Sequence, residues 1–375
     1  MKRFEDKEKY FKGCLIGGAI GDALGYPVEF YSYNQIKSMY GDRGIREYTL
    51  SPNGKALFSD DTQMTLFTAN GILLENTFAK VKQTTEIPHR YVYHAYLDWL
   101  VTQGLPPVVR RLPVTWLSGI RELFSRRAPG RTCIMGLLSK ASRSVDNPLN
   151  DSKGCGGVMR IAPYGLFYGE MEKMDPAWFL KEAAEIGAIT HGHSMSHLSC
   201  ALTASILGQI IYGSAVEKDL YRDRLEEVVR DALIELRYVD YLAEKEAFVS
   251  LIEKALSLCA NDLPDEENIR TLGGGWVAEE TVAISVYCAC KYQNDPIEGI
   301  IAAVNHSGDS DSTGAVAGNI LGAWKGMGTF PKAFVEDLEL ERVIEEIATD
   351  LAAGCPPEGS AAYDEWSKKY SIKII

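Results

Sequence analysis

Apolar residues recur along most of the chain at intervals of three and four positions, which is the period of a helix with one buried face. Leu225, Val229 and Leu236 lie on such a face, with charged side chains between them. A short extended piece is expected near Tyr164–Tyr168, and convincing strand alternation is otherwise lacking. The pattern therefore predicts an all-α fold. The same period predicts further helices over these ranges: 242–258, 278–290, 315–324 and 335–351.

Glycine repeats at every fourth position near the beginning of the chain, at Gly13, Gly17, Gly21 and Gly25. On a helix these positions share one face, and the missing side chains let another backbone approach closely. Membrane dimers use the same spacing, but the apolar stretch over 14–20 is too short to span a bilayer. The repeat therefore predicts that the first helix packs tightly in a crowded core.

Composition narrows the class of protein. With 46% hydrophobic and 24% charged residues, the 375-residue chain is globular rather than disordered, and the lack of a linker predicts a single domain over 1–375. A net charge of −12 makes a nucleic-acid partner unfavourable. The eight cysteines form no Cys-x-x-Cys pair, so we expect reduced thiols in a cytoplasmic protein without a membrane segment, whose oligomeric state stays open.

Two segments each place two aspartates and several hydroxyl groups immediately before an apolar helix. Either segment alone is explained as a helix cap, in which side-chain oxygens accept from the first turn. If both helix starts meet, however, four carboxylates converge and repel one another unless cations lie between them. Hard oxygen ligands favour Mg²⁺ or Mn²⁺ over Zn²⁺, and so a binuclear hydrolytic site. The residues are Ser59, Asp60 and Asp61 in the first segment and Asp309, Asp311 and Ser312 in the second.

Aspartate motifs of other families fit these segments poorly. Asp309, Asp311 and Thr313 match the Asp-x-Asp-x-Thr of haloacid-dehalogenase phosphatases, but they follow a helical segment instead of ending a strand. A calcium loop that began at Asp309 would need Glu at its twelfth position, which is Ile320. The first segment lacks the third acid of an all-α terpenoid synthase.

Two further candidates each carry an ordinary alternative. Glu29 stands between apolar neighbours and is either a catalytic acid or base or a plain loop acid. The glycine-rich turn over 154–157 lies between Lys153 and Arg160, and it is either a phosphate cradle or simply a tight turn.

Histidines and paired arginines are interpreted more plainly. The spacing of His193 and His197 places them on one helix face, but no acid lies within that turn, so a zinc site is disfavoured. His191 is expected to contact the substrate or to cap a helix. The arginine pairs at 110–111 and 126–127 are expected to be solvated.

In their order and spacing, these segments resemble the ADP-ribosylglycohydrolase family, which includes the dinitrogenase-reductase-activating glycohydrolases and the ADP-ribosyl-acceptor hydrolases. The resemblance extends from about Gly13 to Gly328. Each segment alone is weak, and the set is specific. The segments are 21–25 with Glu29, then 59–62, 127–130, 150–160, 190–191, 273–280 and 308–313.

The resemblance implies a compact multi-helix orthogonal bundle with a binuclear Mg²⁺ site, Mn²⁺ being possible, at helix N-termini. Ser59 and Ser312 stand where many members have threonine, and both keep the hydroxyl. Glu29 falls where some members carry an acid on a mobile loop. By position, the metal ligands are Ser59, Asp60, Asp61, Asp309, Asp311 and Ser312, and the catalytic acids are Glu29, Asp60, Asp61 and Asp309. The substrate-binding residues are Gly154, Cys155, Gly156, Gly157, Val158 and Met159, which cradle the diphosphate, together with His191.

The implied activity is Mg²⁺-dependent release of ADP-ribose from a mono-ADP-ribosylated protein, by attack of metal-bound water at C1″ of the distal ribose. Family members act on ADP-ribosyl-arginine, ADP-ribosyl-serine, O-acetyl-ADP-ribose or poly-ADP-ribose, and the block over 150–160 favours arginine by analogy. Two alternatives remain: a hydrolase of a small ADP-ribose conjugate, and a non-catalytic, crystallin-like binder of ADP-ribose. Which acid protonates the leaving group stays open.

Overall fold

Helices are the dominant element in the part of the molecule that the structure describes. The computed structural model describes residues 6–85, 87–106, 108, 112–139, 141–213, 224–239 and 242–371. Within these ranges the chain forms seventeen α-helices and no β-strand, which confirms the predicted all-α fold. The helices are α1 (Lys7–Gly25), α2 (Tyr33–Tyr40), α3 (Asp60–Lys82), α4 (Pro88–Thr102), α5 (Arg131–Leu138), α6 (Ala162–Tyr168), α7 (Pro176–Ala188), α8 (Ser194–Tyr212), α9 (Leu225–Glu235), α10 (Lys245–Leu258), α11 (Asp265–Leu272), α12 (Ala278–Lys291), α13 (Pro296–Val304), α14 (Ser310–Lys325), α15 (Lys332–Glu336), α16 (Glu341–Ala353) and α17 (Ala361–Tyr370).

The glycine repeat on α1 meets a second glycine repeat on α14, and the two backbones touch. A Cβ atom added at Gly21 would lie 1.9 Å from the carbonyl oxygen of Gly314, and one added at Gly17 would lie 2.3 Å from that of Gly318. Further along, a Cβ at Gly25 would lie 2.6 Å from the Cα of Asp311. The tight packing predicted from the repeat is therefore present, and it fixes the start of α14 beside the end of α1.

The start of α3 is attached to the same helix by one buried carboxylate. Asp22 on α1 accepts hydrogen bonds from the amide of Ser59 (2.8 Å) and from the amide and hydroxyl of Thr62 (2.9 and 2.6 Å). These donors occupy both carboxylate oxygens. As a result the first turns of α3 and α14 are both positioned by the last turns of α1.

Two predicted elements differ in the structure. The piece near Tyr164–Tyr168 is not extended but belongs to α6, where the Tyr164 ring stacks on Phe179 at 5.2 Å. The helix predicted over 335–351 is interrupted between α15 and α16. At this break the chain pairs with Ala56, whose amide donates to Asp337 O (2.8 Å) and whose carbonyl accepts from the Glu339 amide (3.0 Å). A partner so distant in sequence cannot be inferred from helical periodicity.

One helix of the described residues, α8, is long and apolar enough to cross a membrane, and 89% of its apolar window is buried inside the molecule. The sequence had pointed to residues 14–20 as the most apolar stretch. Such burial is typical of a core helix, since a fully apolar helix in a large protein has neighbours on every side. That residues 1–375 form one domain stays a prediction.

The contact between α1 and α14 leads to a stability prediction. We expect Gly21→Ala to lower the free energy of unfolding by about 3 kcal/mol or more, because the new methyl group would collide with backbone that cannot rotate away. Gly119→Ala is the matched control, since Gly119 is exposed with open space around its Cβ position. Urea unfolding of both variants checks this, and equal effects would contradict it.

Candidate active site

Both aspartate-rich segments cap their helices. The Ser59 hydroxyl accepts from the amide of Asp61 (3.2 Å) at the start of α3. At the start of α14, Asp309 accepts from the amide of Ser312 (3.3 Å), and so does Asp311 (2.9 Å). Capping therefore accounts for some of these oxygens, but each helix start has more acceptors than its first turn needs.

The two helix starts meet, and Glu29 joins them. Ser59 at the start of α3 lies close enough to Asp311 to act on the pKa of its carboxyl, so α3 and α14 begin beside each other. One carboxylate oxygen from each of Glu29, Asp309 and Asp311 lies within 4.8 Å of the other two. Glu29 is 8% exposed and the two aspartates are 3% exposed. The position of Glu29 follows from the short 3₁₀ turn after α1, which ends directly before it.

Two of the buried carboxylate oxygens have no hydrogen-bond partner, namely Glu29 Oε2 and Asp61 Oδ2. A buried acceptor without a donor costs about 1–3 kcal/mol, and more when it is charged. A divalent cation satisfies such oxygens without any hydrogen, and carboxylate and hydroxyl oxygens are the ligands that Mg²⁺ and Mn²⁺ prefer. The residues present therefore fit a cation of this class.

The electrostatics of the acid cluster agree with that fit. Burial, together with the charges of the neighbouring Asp311 and Asp309, raises the pKa of Glu29 to about 10. Burial also raises the pKa values of Asp61 and Asp309 well above their usual range, again with a contribution from Asp311. Carboxylates in such surroundings hold protons unless a positive charge is present.

Asp60 hydrogen-bonds to a segment outside the two aspartate-rich helix starts. It is buried, and its Oδ2 accepts from the amide of Gly130 (3.1 Å), in the segment that precedes α5. Nearby, Arg127 donates to the carbonyl of Phe58 (3.0 Å) and to the carboxylate of Glu339 (2.9 Å). The expectation that Arg127 is solvated is therefore wrong, because its acidic partner comes from a distant part of the chain. Residues 110–111 lie outside the described residues.

The glycine-rich turn lies directly beside the acids. The thiol of Cys155 donates to Asp309 Oδ2 (2.8 Å). The turn is held against the segment over 273–278, where the Ala278 amide donates to Lys153 O (2.8 Å). The same segment supports the acids, since the Asp309 amide donates to Gly274 O (2.8 Å). The turn over 154–157 therefore touches the acid cluster at its beginning, through Cys155. Its glycines are Gly154, Gly156 and Gly157, and the next residues, Val158 and Met159, are buried in the core.

A buried chain of hydrogen-bonded polar groups determines the protonation state of the His191 ring. Arg160 donates to Thr190 Oγ1 (2.6 Å), and Thr190 Oγ1 lies 2.8 Å from His191 Nδ1. Burial lowers the pKa of His191 to about 3, and the positive charge of Arg160 adds to the effect, so the ring is neutral. Because the arginine occupies only one lone pair of the Thr190 oxygen, the hydroxyl can donate its proton to Nδ1, which would place the ring proton on Nε2.

The imidazole donor faces the glycine-rich turn. A Cβ atom added at Gly154 would lie 3.2 Å from His191 Nε2, and one at Gly156 would lie 2.8 Å from its Cε1. Arg160, which flanks the turn in sequence, points instead into the core with its guanidinium 4.4 Å above the ring of Tyr96. The sequence gives no signal for this burial, because Thr190 and Tyr96 are distant in the chain.

The other histidines do not form the helix face that their spacing suggested. α8 begins at Ser194, and His193 precedes it as its cap, with Nδ1 accepting from the amide of Met195 (3.1 Å). His197 Nε2 bonds to the carbonyl of His191 (2.9 Å). The expected shared face of His193 and His197 is therefore wrong, since the helix starts one residue too late for it.

The rim of the acid cluster carries an exposed aromatic pair. Phe30 follows Glu29, and Trp276 belongs to the segment that supports Asp309. The two rings stack with centroids 5.8 Å apart and planes at 22°. Phe30 is 70% exposed and Trp276 is 45% exposed, so the aromatic faces are open to solvent beside the acids. Trp276 lies in the segment 273–280 that contributes to the resemblance, but its pairing with Phe30 follows from the structure.

An all-helical bundle with acids gathered where helix starts meet, beside a glycine-rich turn, defines the class of the protein. A family model described as ADP-ribosylglycohydrolase matches residues 3–361. The chain belongs to this family, and it is a hydrolase that acts on glycosyl bonds. The family is metal-dependent, in agreement with the carboxylate cluster.

Several proteins are similar to this chain over most of its length. An uncharacterized protein of Archaeoglobus fulgidus is 28% identical, and the match covers 92% of this chain and 96% of that protein. The ADP-ribosylhydrolase ARH3 of Mus musculus is 24% identical, with 88% and 87% covered. The ADP-ribosylarginine hydrolase Tri1 of Pseudomonas putida is 22% identical, with 92% and 78% covered.

A solved structure shares the fold. It is described as an ADP-ribosylglycohydrolase-related protein complex and superposes with a TM-score of 0.61 at 22% identity. The match covers 93% of this chain and 99% of that one.

The neutral state of His191 leads to a pH prediction. Its pKa is lower in the folded protein than the usual value near 6.5, so the unfolded chain binds the proton more readily. Stability is therefore fully present above about pH 6.5 and is lost as the pH falls, by up to about 1.4 kcal/mol per pH unit. We expect the free energy of unfolding of His191→Gln to fall less steeply than that of the wild type between about pH 6.5 and 5.

The control for this comparison is His193→Asn, which replaces a partly exposed histidine and keeps a capping side chain. Urea unfolding at several pH values, with a chelator present, gives both slopes. A wild-type slope in His191→Gln would contradict the neutral, buried state of this ring.

Proposed function

We propose that this protein is a Mg²⁺-dependent hydrolase that releases ADP-ribose from mono-ADP-ribosylated arginine side chains of proteins in the cytoplasm. The observation that carries the proposal is the pair of buried, unpartnered oxygens of Glu29 and Asp61 beside Asp309 and Asp311. The glycine-rich turn begins at the edge of this cluster. A divalent-cation site next to a turn suited to a diphosphate fits a ribose linked to ADP.

The acid cluster supplies the ligands and the catalytic acids. Two Mg²⁺ ions, or Mn²⁺ in their place, would when bound orient the hydroxyl groups of the distal ribose and lower the proton affinity of water near C1″. Glu29 would move a proton at the nucleophile or at the leaving group, because one of its carboxylate oxygens lies within 4.8 Å of those of Asp309 and Asp311. The ligands would be Ser59, Asp60, Asp61, Asp309, Asp311 and Ser312.

The turn and the imidazole would hold the diphosphate. Glycines over 154–157 leave room for phosphate oxygens to approach backbone N–H groups. His191 would add a donor through Nε2–H without a positive charge, because Arg160 and Thr190 hold Nδ1 as the acceptor. A neutral donor binds phosphate oxygens less tightly than an imidazolium does, which favours release of the product.

The rim supports a cationic acceptor. An arginine guanidinium is planar, always charged and stacks on aromatic faces, and it is attracted to carboxylates. Phe30 and Trp276 present such faces next to Glu29. A relative that is 22% identical is named an ADP-ribosylarginine hydrolase. We therefore favour arginine as the acceptor over serine or an acetyl group.

The direct test is release of ADP-ribose from arginine-linked and serine-linked peptides and from O-acetyl-ADP-ribose, with Mg²⁺, with Mn²⁺ and with chelator. We expect metal-dependent release that is fastest from the arginine peptide. Faster cleavage of O-acetyl-ADP-ribose would favour the small-conjugate alternative. Binding of ADP-ribose without cleavage of any substrate would make the protein a binder.

Asp61→Asn tests the metal site separately from the choice of substrate. We expect ADP-ribose release to fall by about 100-fold or more, because a ligand oxygen is lost. In chelator the variant should melt at the wild-type temperature or above it, since a buried carboxylate among like charges has been removed. Added Mg²⁺ should raise the melting temperature of the wild type and not that of the variant.

The control is Asp146→Asn, which changes an exposed aspartate that pairs with Lys181. It should respond to Mg²⁺ as the wild type does. An Asp61→Asn protein that still gains stability from Mg²⁺ to the full extent would contradict the ligand assignment.

Trp276→Ala tests the acceptor. Loss of one aromatic face should lower kcat/KM for the arginine peptide by roughly 3- to 30-fold. The lower figure corresponds to a cation–π contact at an exposed site and the higher one to a contact at a desolvated site. The same variant should leave hydrolysis of O-acetyl-ADP-ribose nearly unchanged, because that acceptor carries no charge. Tyr238→Ala, which removes another partly exposed aromatic ring, is the control. Equal losses on both substrates would contradict selection of a cation by this ring.

A further inference from the structure

One potential ligand atom in the acid cluster, the sulfur of Cys155, differs chemically from all the others. Cys155 points its sulfur at the acids, with Sγ 2.8 Å from Asp309 Oδ2. Asp61 lies close enough to act on the same thiol electrostatically. The other candidate ligands in this cluster offer oxygen. The site is thus a set of hard oxygens with one soft sulfur at its edge.

The sulfur stands next to acceptors that lack a partner. Asp61 is 3% exposed, and its Oδ2 has no hydrogen-bond donor. Glu29 Oε2 is also buried without a donor. The thiol is connected to this cluster through Asp309, which belongs to the Glu29–Asp309–Asp311 group and lies 2.8 Å from Cys155 Sγ, so a cation bound by Asp309 comes near the sulfur. Mg²⁺ gains nothing from sulfur, whereas Zn²⁺ and Cd²⁺ bind thiolate strongly and accept mixed sulfur and oxygen ligands.

We propose that this cluster captures a thiophilic divalent cation, Zn²⁺ or Cd²⁺, through Cys155 Sγ together with Asp309, and that this cation displaces Mg²⁺ and inhibits the enzyme. On binding, the S–H bond breaks, a sulfur–metal bond forms and the proton passes to water. No electron is transferred. Only the claim of inhibition rests on the proposed function, because capture of the cation is measured without substrate.

A second buried thiol provides the matched control. Cys133 lies behind the same turn, with Sγ 4.0 Å from the carbonyl oxygen of Gly156 and 3.5 Å from the guanidinium of Arg160. Asp60 also acts on this thiol electrostatically, but the cation of Arg160 is in direct contact with it and repels a metal ion. Cys133→Ser and Cys155→Ser therefore remove the same atom from adjacent sites, of which one is in contact with a cation and the other with a carboxylate.

The experiment is a Cd²⁺ titration of the full chain in excess Mg²⁺, followed by the ultraviolet charge-transfer absorption of cadmium thiolate. We expect the wild type and Cys133→Ser to develop this band together at low Cd²⁺. Cys155→Ser should lose it and need at least about tenfold more Cd²⁺ to bind, as a lost ligand interaction implies. An unchanged band in Cys155→Ser, or its loss in Cys133→Ser instead, would overturn the proposal.

Two further measurements guard against a variant that has lost its fold. Cadmium NMR of the wild type needs no variant, and we expect the chemical shift of one sulfur among oxygens; an all-oxygen or two-sulfur shift would overturn the proposal. Melting with Mg²⁺ shows whether Cys155→Ser retains the acid cluster. A wild type that binds Cd²⁺ at Cys155 and hydrolyses no ADP-ribose conjugate would refute the proposed function and leave the capture site standing.

Discussion

The direct backbone contact between α1 and α14 is the constraint on which the site depends. Because Gly17 and Gly21 have no side chain, the two helices approach until their backbones touch, and the start of α14 then lies at the end of α1. The chain leaves α1 through a short 3₁₀ turn that delivers Glu29 to Asp309 and Asp311. A wider spacing of the helices would separate these carboxylates, so the geometry of the acids is a consequence of helix packing.

Hydrogen bonding separates the acids that hold the fold together from those that are available for chemistry. Asp22 receives three donors from Ser59 and Thr62, and Asp98 likewise receives three donors, from Val114 and Thr115. Both are as deeply buried as the cluster acids. The cluster acids have donors for only some of their oxygens, which is the condition of groups that await a cation. Neither burial nor a missing donor alone identifies the site, since Glu227 Oε2 and Glu279 Oε2 also lack donors; the gathering of such acids does.

Local chemistry made much of this fold predictable from the sequence, and distant partners made the rest unpredictable. Helices at 225–235 and 278–291 follow from their own periodicity, and the repeat on α1 correctly implied a close neighbour. The break before α16 did not follow from the sequence, because it depends on Ala56. The burial of Arg127 and Arg160 likewise depends on Glu339, Thr190 and Tyr96, and no pattern near these arginines reveals such partners. The site residues were found as motifs, while their missing donors and the aromatic rim needed coordinates.

The same repulsion that strains the protein also gives the site its affinity for cations. Without an ion, Glu29, Asp61 and Asp309 either keep protons or repel one another, and that repulsion opposes the close packing at the start of α14. A bound cation removes that opposition, so part of its binding free energy comes from repulsion relieved within the protein. Folding and cation binding are then linked through one cluster. The glycine-rich turn shares Asp309 with that cluster through Cys155, so a cation bound by Asp309 would act on the turn as well. On the proposed assignment, a single carboxylate would couple cation binding to the placement of the turn, and residue 155 would help to select the cation.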